Sequence, residues 1–320
     1  MIRKFFIIIL FLAFFISCDD SFNPFGDYKD SYVLTCVLRS DSTKQIATIS
    51  QSFPDLNSNT SGDVNWIQGA EVTVWQEDSV YVFKDSSAVI NDPAYGQINI
   101  QFYYHPNVVL KPNKFIEIEA LLASGKRLKS QGYTPGEIVF NTVSSSIVIP
   151  PINTENYIVV WNTVAPGLMY DIKFQIRYLK KVNGVDQEFM IEVPEEYVVN
   201  NGEEVPVYPK PNRNTSASFK MEAVNKIMQL ISQDDPDKSN YSVYQVPLIQ
   251  VVALDEGLSR YYSASSGSLE DLTVRVNSID YTNIEGGFGI FGSYFKTDFS
   301  NARLLPEYIQ SFGYNVKYEN

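Results

Sequence analysis

Tyr170-Asp171-Ile172-Lys173-Phe174-Gln175-Ile176-Arg177-Tyr178 alternates without a break. Tyr170, Ile172, Phe174, Ile176 and Tyr178 fall on one side of an extended chain, and Asp171, Lys173, Gln175 and Arg177 on the other. A period of two with one apolar side marks a strand of an antiparallel sheet that buries one face. Asn183-Gly184 comes next. Asn and Gly tolerate positive φ at both central turn positions, so a type I′ hairpin is expected, with its partner strand over 187–193. Asn201-Gly202 predicts a second hairpin, between 196–199 and 204–208. Outward from these, Tyr157 to Trp161, 241–254, 272–276 and 280–294 read as extended. Ala223, Val224, Ile227, Met228 and Ile231 fall at helical spacing and predict one inserted helix over 217–232. Ser216 or Ser218 can cap its start, and Asp234-Asp235-Pro236 stops it. Its apolar stripe reads as core packing, with a partner-docking face as the alternative. Asp255 to Ser263 reads as a helical turn, and the last twenty residues as a polar tail.

The first half of the chain carries the same signal. Residues 97–104 place Ile98, Ile100, Phe102 and Tyr104 on one face, and 116–120 place Ile116, Ile118 and Ala120 inward. Tyr32 to Leu38, 45–50, 71–76, 79–84 and 138–140 are further strand candidates. Asp41-Ser42, Asn57 to Gly62, Asp92-Pro93 and Ser124-Gly125 separate the strands as turns. Short strands at this spacing imply a mainly β protein built as β-sandwiches. Ser144-Ser145-Ser146 and Pro150-Pro151 punctuate the chain. The expected division is an N-terminal β-sandwich over 31–147 and a C-terminal β domain over 148–320 that carries the helix. Both are expected to be immunoglobulin-like or fibronectin III-like. Trp161, strand-borne and ahead of the long Tyr-flanked strand, resembles fibronectin type III modules.

The N-terminus reads as an export signal. Arg3 and Lys4 precede the apolar run Phe5 to Ile16, and Ser17-Cys18 follows at once. Twelve apolar residues fall short of the roughly 20 that a spanning helix needs. Phe15-Ile16-Ser17-Cys18 resembles a bacterial lipobox, which implies a signal peptide over 1–17 and lipid on Cys18; a plain signal peptide is the alternative. Residues 18–30, with Pro24 and Gly26, read as a tether. The acidic pair Asp19-Asp20 is open to three readings: inner-membrane retention, surface export, or a solvated linker.

Composition excludes some classes. Loss of residues 1–17 takes Arg3 and Lys4 from the 25 basic side chains and leaves all 37 acidic ones, so the formal charge moves from −12 to −14. Nucleic-acid binding needs a basic footprint that this chain lacks. Attachment to anionic lipid would have to come from acyl chains, not from a polybasic patch. Only two cysteines exist. With Cys18 lipidated, Cys36 has no disulfide partner and reads as a small buried hydrophobe beside Leu34 and Leu38.

No constellation of catalytic groups stands out. His105 is the only histidine, so a Ser-His-Asp hydrolase would have to use it, and a multi-histidine zinc site is excluded. It reads as an ordinary loop histidine. Asp234, Asp235, Asp237 and Asn240 offer oxygen ligands that Ca²⁺ could accept, without the EF-hand spacing or its glycine. A solvated helix-end loop is the preferred reading. Glu195-Glu196 and Glu203-Glu204 read as edge-strand charges. A glycosidase would need two carboxylates facing each other, which sequence cannot place. Ile284 to Gly292 is glycine-rich but lacks the Lys-Ser/Thr of a P-loop, and suits a bulged or closely packed strand. No catalytic residue, metal ligand or cofactor site is assigned.

One run carries a resemblance. Tyr281-Thr282-Asn283-Ile284-Glu285-Gly286-Gly287-Phe288-Gly289-Ile290-Phe291-Gly292 is similar to the closing motif of an uncharacterised bacterial family known only as a domain of unknown function. The early strand Tyr32 to Leu38, Gly69-Ala70-Glu71-Val72-Thr73-Val74 and Leu258-Ser259-Arg260-Tyr261-Tyr262 fit the same family. The resemblance implies a lipid-anchored outer-membrane protein, facing either the periplasm or the cell surface, often an accessory of a TonB-dependent receptor. It supplies no catalytic residues. The expectation is a non-enzymatic binding or accessory subunit of an uptake system. The alternatives are an envelope glycan hydrolase with an unidentified carboxylate pair and a structural or adhesive surface lipoprotein.

Overall fold

The computed structural model describes residues 31–51, 64–92, 96–264 and 281–319. The signal segment, Cys18, the tether, the turn expected over 57–62 and the strand expected over 272–276 lie outside them. Strands take 52% of the described residues and helices 11%, so the protein is mainly β, with open sheets.

The first half forms β1 (Tyr32–Arg39), β2 (Gln45–Gln51), the short β3 (Asn65–Trp66), β4 (Glu71–Gln76), β5 (Ser79–Asp92), β6 (Gly96–His105), β7 (Phe115–Leu121) and β8 (Arg127–Tyr133). Leu34, Cys36, Leu38, Ile49, Val72, Val74, Ile116, Ile118 and Leu128 share one core from their alternate positions. Cys36 is free and fully buried there, and burial pushes its thiol up to about 12. In β6 Phe102 of the expected face is buried, and Tyr103 of the opposite face is buried as well and enters this core. Its hydroxyl donates to Ile67 O (2.9 Å) and accepts from Ala70 N (3.1 Å). Ring burial with a satisfied hydroxyl outweighs the alternation, because aromatic residues stand on both faces at this end of β6. Two further differences are local. Residues 138–140 supply only an isolated bridge, Phe140 to Trp161, and β8 forms from the basic stretch RLKSQGY, which has no apolar alternation to announce it.

The second half forms β9 (Val148–Ile149), β10 (Asn156–Val160), β11 (Tyr170–Val182), β12 (Val185–Glu192), β13 (Glu196–Asn200), β14 (Glu203–Val207), β15 (Ser216–Lys220) and α1 (Met221–Leu230). Then come β16 (Tyr241–Tyr244), β17 (Leu248–Leu254), α2 (Glu256–Ala264), β18 (Phe288–Asp298), β19 (Arg303–Leu304), α3 (Pro306–Ser311) and β20 (Asn315–Lys317). The Asn-Gly turns are as expected: φ is 54° and 82° at Asn183 and Gly184, and 53° and 86° at Asn201 and Gly202. Both faces of β11 also match, with Tyr170, Ile172, Phe174 and Ile176 in the core.

The helix expected over 217–232 is shorter. Residues 216–220 are β15, because Ala217 and Phe219 point inward while Ser216, Ser218 and Lys220 face out, and the strand pairs with β10. Neither serine caps α1; its first amide, Met221 N, donates to Glu155 O instead (2.8 Å). The stripe Val224, Ile227, Met228 and Ile231 is buried in the core. The strand expected over 241–254 is divided between β16 and β17, where Pro247 has no N–H to give to a ladder. The polar tail is also corrected. β19 pairs with β9 and β20 with β16, while Leu304, Ile309 and Tyr314 are buried. Those three anchors are spread among polar residues, so a window average hides them.

One hydrogen-bonded path runs β20-β16-β11-β17-β18-β1-β2-β6-β5-β4-β7-β8. Its hinge is β18, which lies parallel to β1 on one side and antiparallel to β17 on the other. A strand formed by residues 288–298 therefore completes the sheet begun by residues 32–39.

Candidate functional site

The closing run does more than pair. Asn283 folds back on β18: its Nδ2 donates to Phe291 O (2.6 Å) and its Oδ1 accepts from Phe291 N (2.9 Å). Ser130 Oγ donates to Asn283 O (2.8 Å), and Lys129 and Glu285 exchange both backbone bonds. Segment 281–287 is thus tied to β8 and β18 together. At Gly289 φ is +112°, and a Cβ would stand 2.0 Å from Leu34 O. The run's glycines are there because backbone meets backbone.

Asp255 fixes α2 on this frame. The carboxylate is 4% exposed and precedes the first helical residue. One oxygen accepts from Leu258 N (2.9 Å), and the other from both the amide and the hydroxyl (2.9 Å) of Ser293. Burial pushes its pKa up to about 7, against the pull of bonds from Leu258, Ser293 and Gly257. An aspartate before an apolar-periodic stretch is an N-cap signal; here the cap also stitches the helix to β18. Gly257 allows the close approach, since a Cβ there would lie 3.0 Å from Phe291 O.

These contacts shape a cleft of about 750 Å³ between the end of β8, the loop 165–168 and α2. Tyr133, Arg213, Glu256, Arg260 and Tyr281 line it. Arg260 is paired with Glu256 (2.5 Å). Arg213 is held by Gly167 O (3.2 Å, from Nε) and Ser263 Oγ (3.0 Å, from Nη2), with no carboxylate partner among the described residues.

The residues singled out from sequence lie elsewhere. His105 ends β6, with its ring edge-on to Tyr81 at 5.3 Å and Nδ1 accepting from Asn107 N (3.2 Å). Asp234 accepts from Lys180 (2.5 Å) and the Tyr241 hydroxyl (2.8 Å). Asp235 accepts from Asp237 N and Asn240 Nδ2, and Asp237 from Ser239. Asp235 and Asp237 serve their own loop, and Asp234 ties that loop to β11 and β16. Among the described residues no three His, Cys, Asp or Glu side chains are grouped to hold a metal ion. Of the edge glutamates, Glu196 pairs with Lys220 and Glu204 with Lys226. Arg213, Asn283 and Tyr133 were not readable as site residues, because only the tertiary fold brings them together.

A family model described as "Domain of unknown function (DUF4249)" matches residues 19–300, and the chain belongs to that family. No curated protein matches it. Among the described residues no helix is long and apolar enough to cross a membrane.

Proposed function

We propose that this member of the DUF4249 family is a lipid-anchored outer-membrane protein that binds a ligand or partner without catalysis, as an accessory of a TonB-dependent receptor. The observation that supports binding over chemistry is Asp255. It is the one buried carboxylate in the cleft wall, and its oxygens are spent on backbone amides and a serine hydroxyl. A general acid or base has to reach a substrate proton, whereas Asp255 faces its own helix start. The anchor rests on Phe15-Ile16-Ser17-Cys18. On this reading residues 31–147 and 148–320 are two immunoglobulin-like or fibronectin III-like modules. The cores around Leu34 and around Phe174 draw mostly on one range each, with Ile284, Phe291 and Phe295 crossing into the first and Ile138 into the second.

Two experiments test the proposal. Membranes solubilised in mild detergent and purified through this chain should yield a receptor-sized β-barrel partner; repeated recovery without one contradicts the accessory role. Labelling with a fatty acid should mark the wild type and leave Cys18→Ala unmarked. Label that persists in the variant removes the anchor.

A further inference from the structure

We infer that the cleft takes a carboxylate-bearing saccharide, an oligouronate, with Arg213 binding the carboxylate and Tyr133 forming the stacking platform. The inference rests on the binding role proposed above. It begins from an imbalance of charge. The chain is strongly acidic, and Arg39, Arg127, Arg177 and Arg260 all sit in ion pairs. Arg303 spends its Nη1 on the carbonyls of Ser300 and Ala302. Arg213 differs. Its two recorded bonds go to a neutral carbonyl and a neutral hydroxyl, so they orient the guanidinium without neutralising it. Of the five N–H donors an arginine carries, about three remain for a ligand. A guanidinium held in this way favours a carboxylate, which it can engage with two parallel bonds.

Among the described residues, the acids nearby do not cancel it. Glu256 is matched by Arg260, and Asp255 turns its oxygens to α2 and Ser293. The rim then adds what a sugar ring needs. Tyr133 is 67% exposed, and Phe115 braces it edge-on at 5.4 Å, which leaves an aromatic surface open at the mouth. Asn113 and Gln131 also line the cleft, and their side-chain amides make no hydrogen bond among the described residues. A side-chain amide offers a donor and an acceptor together, as neighbouring hydroxyls do. A peptide laid down as an added strand fits less well, because Glu285 already occupies the backbone edge of β8 at Lys129.

The test is calorimetric titration of the full-length protein in detergent with trisaccharides of galacturonate, glucuronate and mannuronate, each against its neutral counterpart. At least one acidic trisaccharide should bind roughly tenfold or more tightly than its neutral partner, about 1.4 kcal/mol. Arg213→Gln should erase that preference, and Arg303→Gln should keep it. Tyr133→Ala should weaken acidic and neutral forms alike. Thermal melts of the variants, all altered at exposed side chains, check that they remain folded. Failure of every uronate to bind overturns the inference, as does a preference that survives Arg213→Gln. Binding of a free-carboxylate peptide in place of the saccharides overturns it too. Receptor co-purification with Arg213→Gln separates the two proposals: a barrel recovered with this variant leaves the accessory role standing whatever the sugars do.

Discussion

Two glycine-bearing segments of this chain look alike as sequence and differ in what the glycines are for. At Asn183-Gly184 the chain reverses between β11 and β12, φ is positive at both residues, and nothing lies within 4 Å of a Cβ built on Gly184. The requirement is local, and the dipeptide announces it. In the run Ile284 to Gly292 the requirement comes from far away in sequence. A Cβ would meet Arg127 O at 2.3 Å from Gly286, Tyr32 O at 2.6 Å from Gly287 and Leu34 O at 2.0 Å from Gly289. The hairpin tip is a turn that any sheet could use. The closing run is a seam that joins β18 to β1 and β8, and it lines the cleft through Tyr281, Asn283 and Phe291.

The largest expected effect comes from breaking the seam. Gly289→Ala places a methyl against a backbone carbonyl that cannot move without β1, at a φ that alanine resists. A loss above about 4 kcal/mol, or failure to accumulate folded protein, is expected by urea unfolding. A loss of under about 1 kcal/mol would mean that β1 and β18 are not closely joined.

Asp255→Asn probes the same seam from the helix side. An amide nitrogen cannot accept from the amides of Leu258 or Ser293, so a loss of about 1–3 kcal/mol is expected. The pH dependence sharpens this. Asp255 is pushed up to about 7 and Asp171 to about 6 from 3.8, so the folded state keeps protons that the unfolded chain has released. That stabilisation is whole below about pH 4 and is lost as pH rises through 6 to 7. Unfolding free energy should therefore fall between about pH 4 and pH 7, and fall less in Asp255→Asn. An equal slope in both would exclude Asp255 as its source.

The hairpin tip should respond weakly. Gly184→Ala meets no neighbour and pays only for the left-handed backbone, about 1 kcal/mol, with an unchanged denaturant slope. The smallest effect belongs to the edge charges. Lys226→Met removes the pair with Glu204 and the contact over the Tyr197 ring (3.9 Å), and should cost about 1 kcal/mol or less. A larger loss there than at Gly184 would reverse the ordering.

What the sequence disclosed follows the same division. The faces of β11, both Asn-Gly turns and the alternation of β7 depend on neighbours a few residues away, and they could be read directly. The closing run could be recognised as a closely packed strand, but its partners, Leu34 and Tyr32, could not be named. The start of α1 is ambiguous in sequence because Ala217 and Phe219 satisfy a strand as well as a helix. The C-terminal segment reads as a tail because Leu304, Ile309 and Tyr314 are spaced among polar residues, although all three enter the core around Phe174. The cleft was the least legible feature. Arg213 and Tyr133 stand 80 positions apart, and neither belongs to a motif.

Hydrogen exchange followed by mass spectrometry tests the seam most directly. Peptides covering 33–39 and 288–298 should be slow and should open together, with a common free energy close to that of global unfolding, while the 183–184 tip exchanges fast. Rapid exchange over 288–298 beside a protected 33–39 would contradict the account.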